Sequence, residues 1–365
     1  MVLETLQLKD FRNYEAEEAV FHEKINILTG RNAQGKTNLI EAINLLALGK
    51  SFRTRREQEL VRFGAEETCV KGEFKKKDRP HSTEVRLPAG ASGKKAYLVN
   101  GLETGTVSAL LGGVYTIVFS PEDLRIVKGE PETRRRFLDR GLILLRPLYY
   151  HRLKTFRQAL KNRNALLKSE RPPLDLLDVY DEQLAEAAAA VMADRAAWLA
   201  SLSCAAAEAG ARITDGAEGI CVEYRPNLQP LDGGAYTKEA LLEAFSRGRE
   251  RDLFSRSTES GPHRDDFSVF ASGLDLKLYG SQGQQRTAAL SLRLAERELI
   301  KSETGEDAIL LLDDVMSELD TERQERLLSG FGENQVFITA AGPFHEEALK
   351  LRASKTMRIE AGRII

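Results

Sequence analysis

One octapeptide constrains this chain more than any other part of it: Gly30-Arg-Asn-Ala-Gln-Gly-Lys-Thr37. A short β-branched and apolar run, Lys24-Ile-Asn-Ile-Leu28, precedes it, and Asn38 to Leu48 follows with apolar residues at 39, 40, 43, 46 and 47. The first run reads as a strand and the second as a helix, with Gly49 as its predicted C-terminal cap. A loop of the form G-x-x-x-x-G-K-[ST] between strand and helix turns its backbone amides inward around phosphate oxygens. Gly30 and Gly35 allow the tight path, Lys36 reaches the terminal phosphates, and the Thr37 hydroxyl is placed to ligate magnesium. The helix N-terminus adds a favourable field for an anion.

Two downstream stretches complete the pattern. Leu310-Leu-Leu-Asp313 reads as a buried strand ending in a carboxylate, as a magnesium ligand at the edge of a parallel sheet requires. Asp314 follows, where a second carboxylate can orient or deprotonate an attacking water. Ser281-Gln-Gly-Gln-Gln-Arg286 opens a helix and offers a second anion-binding surface. One nucleotide needs only one phosphate loop, so a second surface suggests service to another subunit's nucleotide across a two-fold dimer. The competing reading of this stretch is an ordinary polar helix cap.

The 365 residues suffice for a substantial core and suggest two domains. Cys69, Cys204 and Cys221 are too few and too scattered for a disulfide framework or a metal pair, which points to a reducing, cytoplasmic setting. No apolar run has the length of a membrane helix. A net charge of −2 excludes a globally basic nucleic-acid binder, so any such role must come from local clustering.

Along the chain, Val2 to Leu8 reads as a strand, 66–100 as a β-meander with a turn at Asn100-Gly101, and Val114 to Phe119 as a buried strand. From Pro131 to about Ala211 the pattern is helical, broken at Pro172-Pro173. Leu184, Val191 and Trp198 are spaced as heptads, but two intervals do not make a coiled-coil arm. Further on, Val222 to Tyr224 suggests a strand, Leu241 to Phe245 a short helix, Phe267 to Tyr279 a hairpin, and Val336 to Thr339 a final strand.

Taken in order, these elements resemble the ATP-binding-cassette superfamily in its DNA-maintenance branch. The resemblance is closest to the RecF family of bacterial recombination proteins. It is carried by Phe11-Arg-Asn-Tyr14, Gly30 to Asn38, Gly49-Lys-Ser-Phe-Arg53, Gly261-Pro-His-Arg-Asp-Asp266, Ser281 to Arg286 and Leu311 to Asp320, and is weakest between about Glu170 and Arg256. It implies an α/β P-loop ATPase head with a mainly helical second lobe and no long coiled coil. The expected division is 1–119 and 261–365 for the head and 120–260 for the lobe.

The resemblance also implies ATP and Mg2+ as cofactors, an ATP-driven homodimer, weak DNA-dependent hydrolysis used as a switch, and work beside RecR and RecO to load RecA at single-strand gaps. Carried over by position, Arg12, Asn13, Gly30, Arg31, Asn32, Ala33, Gln34, Gly35, Lys36, Thr37 and Asn38 approach the nucleotide in one chain. Ser281, Gly283 and Gln284 would touch the γ-phosphate held by the opposite subunit. Thr37 and Asp313 would hold magnesium, with Lys36, Asp313 and Asp314 catalytic. Ser317 to Asp320 corresponds to a loop crossing the dimer interface.

Three departures stand out. Asp314 occupies a position where many superfamily members have Glu, a loss of reach that should slow hydrolysis. Ala340 follows Thr339 where transporters carry a His, and Ser120-Pro-Glu-Asp123 stands where a Gln-containing lid would lie. The last two argue against a transporter engine, and the lack of room for long arms argues against a chromosome-tethering ATPase.

For DNA, the basic run from Arg134 to Lys168 is the first candidate, through Arg134, Arg135, Arg136, Arg152, Lys154, Arg157 and Lys161. Between Ile143 and Ser169 it contains no Asp or Glu. Tyr149, Tyr150 and Phe156 are interleaved and could stack on bases, or else belong to the core. Arg53, Arg55 and Arg56 form a second patch.

Overall fold

The computed structural model describes residues 1–90, 93–216, 218–229, 234–318, 321–340 and 354–365. Asp320, the end of the expected interface-crossing loop, lies outside the described residues. The chain forms two compact units, one of Met1–Asp123 with Glu296–Ile365 and one of Leu124–Ala295.

The first unit begins with β1 (Val2–Phe11), β2 (Tyr14–Val20), β3 (Ile25–Thr29), α1 (Lys36–Leu48), β4 (Glu67–Lys76), β5 (Arg79–Pro88), β6 (Ala96–Val99), β7 (Leu102–Thr104) and β8 (Thr116–Phe119). The second holds α2 (Leu124–Lys128), α3 (Pro131–Leu145), α4 (Pro147–Leu167), α5 (Leu174–Thr214), β9 (Ile220–Arg225), α6 (Lys238–Ser255), β10 (Asp266–Ala271), β11 (Leu274–Asp275) and α7 (Leu276–Tyr279). The boundary falls inside α8 (Gln282–Thr304), after which the first unit resumes with β12 (Ile309–Leu312), α9 (Thr321–Gly330), β13 (Val336–Ala340), β14 (Ser354–Glu360) and β15 (Arg363–Ile364).

Two six-stranded sheets make the first unit: β2-β1-β4-β5-β6-β7, wholly antiparallel, and β15-β14-β3-β13-β12-β8, parallel except at β15. Their burial follows from their surroundings. β4 and β5 alternate between buried and more open residues, as a sheet with one wet face does, whereas β12 and β13 are buried at every position. Helix α1 packs on strands of both sheets and is therefore buried nearly all round, including Glu41 and Asn44. Gly72 permits that approach, since a Cβ there would lie 2.5 Å from a Leu46 methyl. Asn44 is satisfied by the Thr116 hydroxyl at 3.2 Å.

In the second unit the segment Gly261 to Asp266 is a keystone. Arg195, 2% exposed, donates to the Pro262 carbonyl at 2.6 Å, Asp265 at 2.9 Å and Asp139 at 2.8 Å. Asp265 also accepts from the Tyr224 hydroxyl at 2.5 Å and the Asn227 amide at 2.9 Å. Burial, then the Asp265 charge, pushes the Tyr224 hydroxyl far up, so it stays a donor. A second buried cation, Arg163, meets Asp181 at 2.5 Å and both Asp252 and Thr258 at 2.7 Å.

These contacts alter three expectations. Because β10 pairs with β9, residues 261–295 cluster with the second unit, and the units part at Leu124 and Glu296, not at 120 and 261. Arg134 is 3% exposed and gives two hydrogen bonds to Asp266 at 2.6 and 2.7 Å, so it is a structural cation and not an open one. Tyr149 and Phe156 are 1% and 2% exposed, the first in the Arg195 network and the second stacked on His263, which makes them core residues. Leu184, Val191 and Trp198 are fully buried in α5, which serves the packing of this unit.

Candidate active site

The Gly-rich loop leaves β3 at Gly30, whose φ of 145° suits glycine alone and whose Cβ would lie 2.3 Å from the Ile359 carbonyl oxygen. It ends at Gly35, φ 121°, where a Cβ would press on Asn13 and the Tyr14 hydroxyl at 2.9–3.0 Å. Two turns brace it. Asn13 donates to the Gln34 carbonyl at 2.8 Å and Tyr14 to the Gly35 carbonyl at 3.0 Å from the β1–β2 side. From the β14–β15 turn, the Gly362 amide reaches the Gln34 carbonyl at 2.9 Å and the Ala361 amide its side-chain oxygen at 2.7 Å. Lys36 is 5% exposed, with its ammonium on the Gly30 and Arg31 carbonyls at 2.7 and 3.0 Å.

Strand order places the carboxylates beside this loop. β13 lies between β3 and β12, so the C-terminal ends of all three parallel strands meet on one edge. At that edge Thr37 donates to Asp313 Oδ1 at 2.8 Å. Asp313 is 8% exposed, and its carboxyl lies above its ordinary range: burial drives the shift, the Thr37 bond opposes it and the Asp314 charge adds to it. Asp314 has a φ of 54°. Thr339 on β13 accepts from the Asp314 amide at 2.8 Å and lies 3.2 Å from an oxygen of each carboxylate. A hydroxyl and carboxylate oxygens are the donors a hard divalent cation takes, and Mg2+ characteristically uses one or two carboxylates plus phosphates.

A second cluster flanks α1. Glu41, 0% exposed, accepts two bonds from Arg12 at 2.9 and 2.8 Å and one from Arg53 at 3.4 Å, and also accepts from the Ser51 hydroxyl. Arg53 and Asn38 are joined at 2.8 Å, and Asn38 donates to Asn13 at 2.8 Å. A continuous chain of polar contacts thus runs from the Gln34 carbonyl through Asn13, Asn38 and Arg53 to Glu41. Arg31, Asn32 and Ala33 form the exposed outer part of the loop, Ala33 with a φ of 64°.

Within the second unit, Ser281 and Gln284 form a reciprocal cap. The Gln284 amide donates to the Ser281 hydroxyl at 3.2 Å and the Ser281 amide to the Gln284 side-chain oxygen at 3.0 Å. Ser281 is exposed and Gly283 half-buried. The polar-cap reading therefore describes their geometry in this chain.

The basic residues divide. Arg135 donates to the Asp265 carbonyl at 2.8 Å, Arg136 pairs with Glu132 at 2.7 Å, and Arg152 with Asp194 at 2.7 Å. Arg56 faces Glu59 at 3.9 Å, and Arg55 is exposed with a partner of its own. Lys154, Arg157 and Lys161, at i, i+3 and i+7, form one exposed stripe on α4, of which only Arg157 has an ion pair among the described residues, to Asp139 at 3.0 Å. Beside them is an open groove of about 810 Å3 between α4 and α5, lined by polar side chains that include Lys154, Gln158, Asn162 and Gln183.

Glu41, Thr339 and the Ala361-Gly362 turn lie outside the motifs, whereas Tyr14 and Ser51 belong to motif stretches that give them no stated role. Glu41 carries one signal in the sequence, as the one carboxylate of the helix Lys36–Leu48. The others are brought in by strand order, which no local pattern encodes.

The RecF/RecN/SMC N-terminal domain family matches residues 2–360. The DNA replication and repair protein RecF of Bacillus cereus (strain G9842) is 40% identical over 371 aligned positions, spanning 100% of this chain and 98% of the relative. RecF of Clostridioides difficile (strain 630) is 37% identical, again over 100% and 98%. A structure of the recombination mediator protein RecF with ATP, from the RecFOR pathway, superposes with a TM-score of 0.92 at 34% identity, covering 100% of this chain and 97% of that one. With an α/β P-loop architecture and this end-to-end similarity, the chain belongs to the RecF family of DNA replication and repair proteins.

Proposed function

We propose that this chain is an ATP-dependent recombination mediator in which nucleotide binding operates a DNA-binding switch. The observation that carries the reading is the meeting of Lys36, Thr37, Asp313 and Asp314 at one edge of the parallel sheet, in a chain that aligns from end to end with RecF proteins. Gly30 and Gly35 let the loop hold its path against Ile359 and against Asn13 with Tyr14, where a Cβ would collide. Lys36 exchanges its hold on two loop carbonyls for phosphate oxygens, and Thr37 with Asp313 would hold Mg2+. Bound there, Mg2+ neutralises phosphate charge. Asp314 orients or deprotonates the attacking water, and its short side chain favours slow turnover suited to a switch.

The reading extends to a homodimer in which Ser281, Gly283 and Gln284 address the nucleotide of a second copy. To do so they exchange part of their mutual cap for phosphate. Lys154, Arg157 and Lys161 meet the DNA backbone without reading bases, with Arg53, Arg55 and Arg56 as the second candidate patch. The protein then acts in the cytoplasm at single-strand gaps with RecR and RecO to load RecA, in gap repair, replication restart and the SOS response.

Light scattering and DNA binding, each with and without ATP, test the switch. Dimerisation and salt-sensitive DNA binding are expected with ATP only; equal dimerisation without nucleotide, or DNA binding indifferent to salt, overturns it. Ser281→Arg is expected to abolish dimerisation while sparing ATP binding, and Lys36→Ala to lose ATP binding itself.

A further inference from the structure

We propose that Thr339 is a positioning residue that aims Asp314 through a single hydroxyl proton which the two adjacent carboxylates share. The inference rests on the reading of Asp313 and Asp314 given above and adds a residue to it. β13 is the strand between the phosphate-loop strand and the carboxylate strand, and Thr339 sits near its C-terminal end, 2% exposed. Its Oγ1 accepts from the Asp314 amide at 2.8 Å and lies 3.2 Å from both Asp313 Oδ1 and Asp314 Oδ1.

A threonine hydroxyl has one proton, so it serves one of these carboxylates at a time. The two are not equally supplied. Asp313 Oδ1 already accepts from Thr37 at 2.8 Å, whereas among the described residues the Asp314 carboxylate has no other hydrogen-bond donor. With a cation on Asp313, the Thr339 proton is left for Asp314 and fixes the direction of its carboxylate. The amide bond completes the arrangement, because Asp314 holds a φ of 54°, uncommon for a non-glycine residue, and Thr339 secures its amide there while the Ser317 hydroxyl holds its carbonyl at 2.8 Å. Thr339 keeps its proton throughout. In this chain the residue after it, Ala340, has no side-chain donor, so Thr339 is the group through which β13 acts on the site.

The test compares Thr339→Val and Thr339→Ser with the wild-type chain by ATP affinity, half-saturating Mg2+ in ATP binding, and single-turnover hydrolysis. Thr339→Val should leave ATP affinity within about twofold and half-saturating Mg2+ unchanged or lower, since Asp313 loses no negative charge, while hydrolysis falls about tenfold. Thr339→Ser should restore hydrolysis to within about threefold. In an Asp314→Asn background, Thr339→Val should change the rate less than about twofold. Wild-type hydrolysis by Thr339→Val, a parallel loss of ATP and Mg2+ affinity, or no rescue by Ser overturns the proposal; should Thr339→Val not fold, Thr339→Ala is judged by the same criteria. If Lys36→Ala binds ATP as tightly as wild type, the nucleotide-site reading itself fails, and the two failures stay distinct.

Discussion

The Thr37 hydroxyl donates to Asp313 Oδ1 across 2.8 Å, closing one site from residues 276 positions apart in the chain. The bond crosses from the helix behind the phosphate loop to the end of β12, over the intervening strand β13. Its acceptor is a carboxylate held in a place that disfavours its charge, so the site trades stability for readiness to bind a cation.

Asp313→Asn is therefore expected to raise the stability of the nucleotide-free and metal-free chain at pH 7, read as a higher midpoint in urea. The folded-state pKa lies above the unfolded one, near 3.8, so folding favours the protonated acid. The wild-type penalty is then complete above the folded pKa and fades as pH falls toward the unfolded value. The advantage of Asn should shrink over that same window, and a constant advantage across it would refute the assignment. With ATP and Mg2+ present the order should reverse.

Glu41→Gln removes the charge that Arg12 and Arg53 share in a fully buried position. Loss of one partner from a buried pair costs on the order of 3–5 kcal/mol, and retention of the amide should keep the effect at or below the lower end. Arg12 and Arg53 should also lose their fixed positions beside the loop. Chemical denaturation and ATP binding should both weaken; an unchanged midpoint would contradict the geometry.

On α4, Lys154→Glu with Lys161→Glu should weaken DNA binding at low salt and lower the salt dependence by about one unit of slope for each cation lost. ATP affinity should not move. Arg134→Ala, by contrast, breaks a buried pair with Asp266 and should destabilise the second unit before any effect on DNA can be read. Equal behaviour of the two variants in thermal melts would show that burial does not separate them.

Thiol labelling offers a check that involves no nucleotide. Burial, followed by the Glu84 charge, pushes the Cys69 thiol up to about 11, while Cys204 and Cys221 are exposed. In the folded chain at pH 8 a maleimide should modify Cys204 and Cys221 first and Cys69 only on unfolding, as mass spectrometry of the labelled peptides would report.

The sequence made the phosphate loop legible because its chemistry is local: two glycines, a lysine and a threonine at fixed spacing between a strand and a helix. The buried strand ending in Asp313 was legible for the same reason, as a continuous apolar run. What stayed hidden depends on strand order. Nothing near Thr339 announces that β13 lies between β3 and β12, nor does the Ala361-Gly362 turn advertise its bonds to Gln34. Charge misled where it was buried: Arg134 reads as part of a basic run in sequence, yet its partner Asp266 lies 132 residues away. The edge of the second unit was misplaced because β10 finds its neighbour β9 across α6.

The neighbours of β3 in its sheet are β13 and β14, both from the last part of the chain, while the antiparallel sheet of β1, β2 and β4 to β7 draws on the first part alone. During synthesis the antiparallel sheet and the whole second unit can find their partners first. The phosphate loop meanwhile hangs from a strand with neither neighbour yet made, and contacts so distant in sequence form slowly. Competence to bind nucleotide is thus expected to be the last property the nascent chain acquires: a ribosome-bound chain stalled before Val336 should hold a protease-resistant second unit and retain no ATP, and ATP retention at that length would contradict the order.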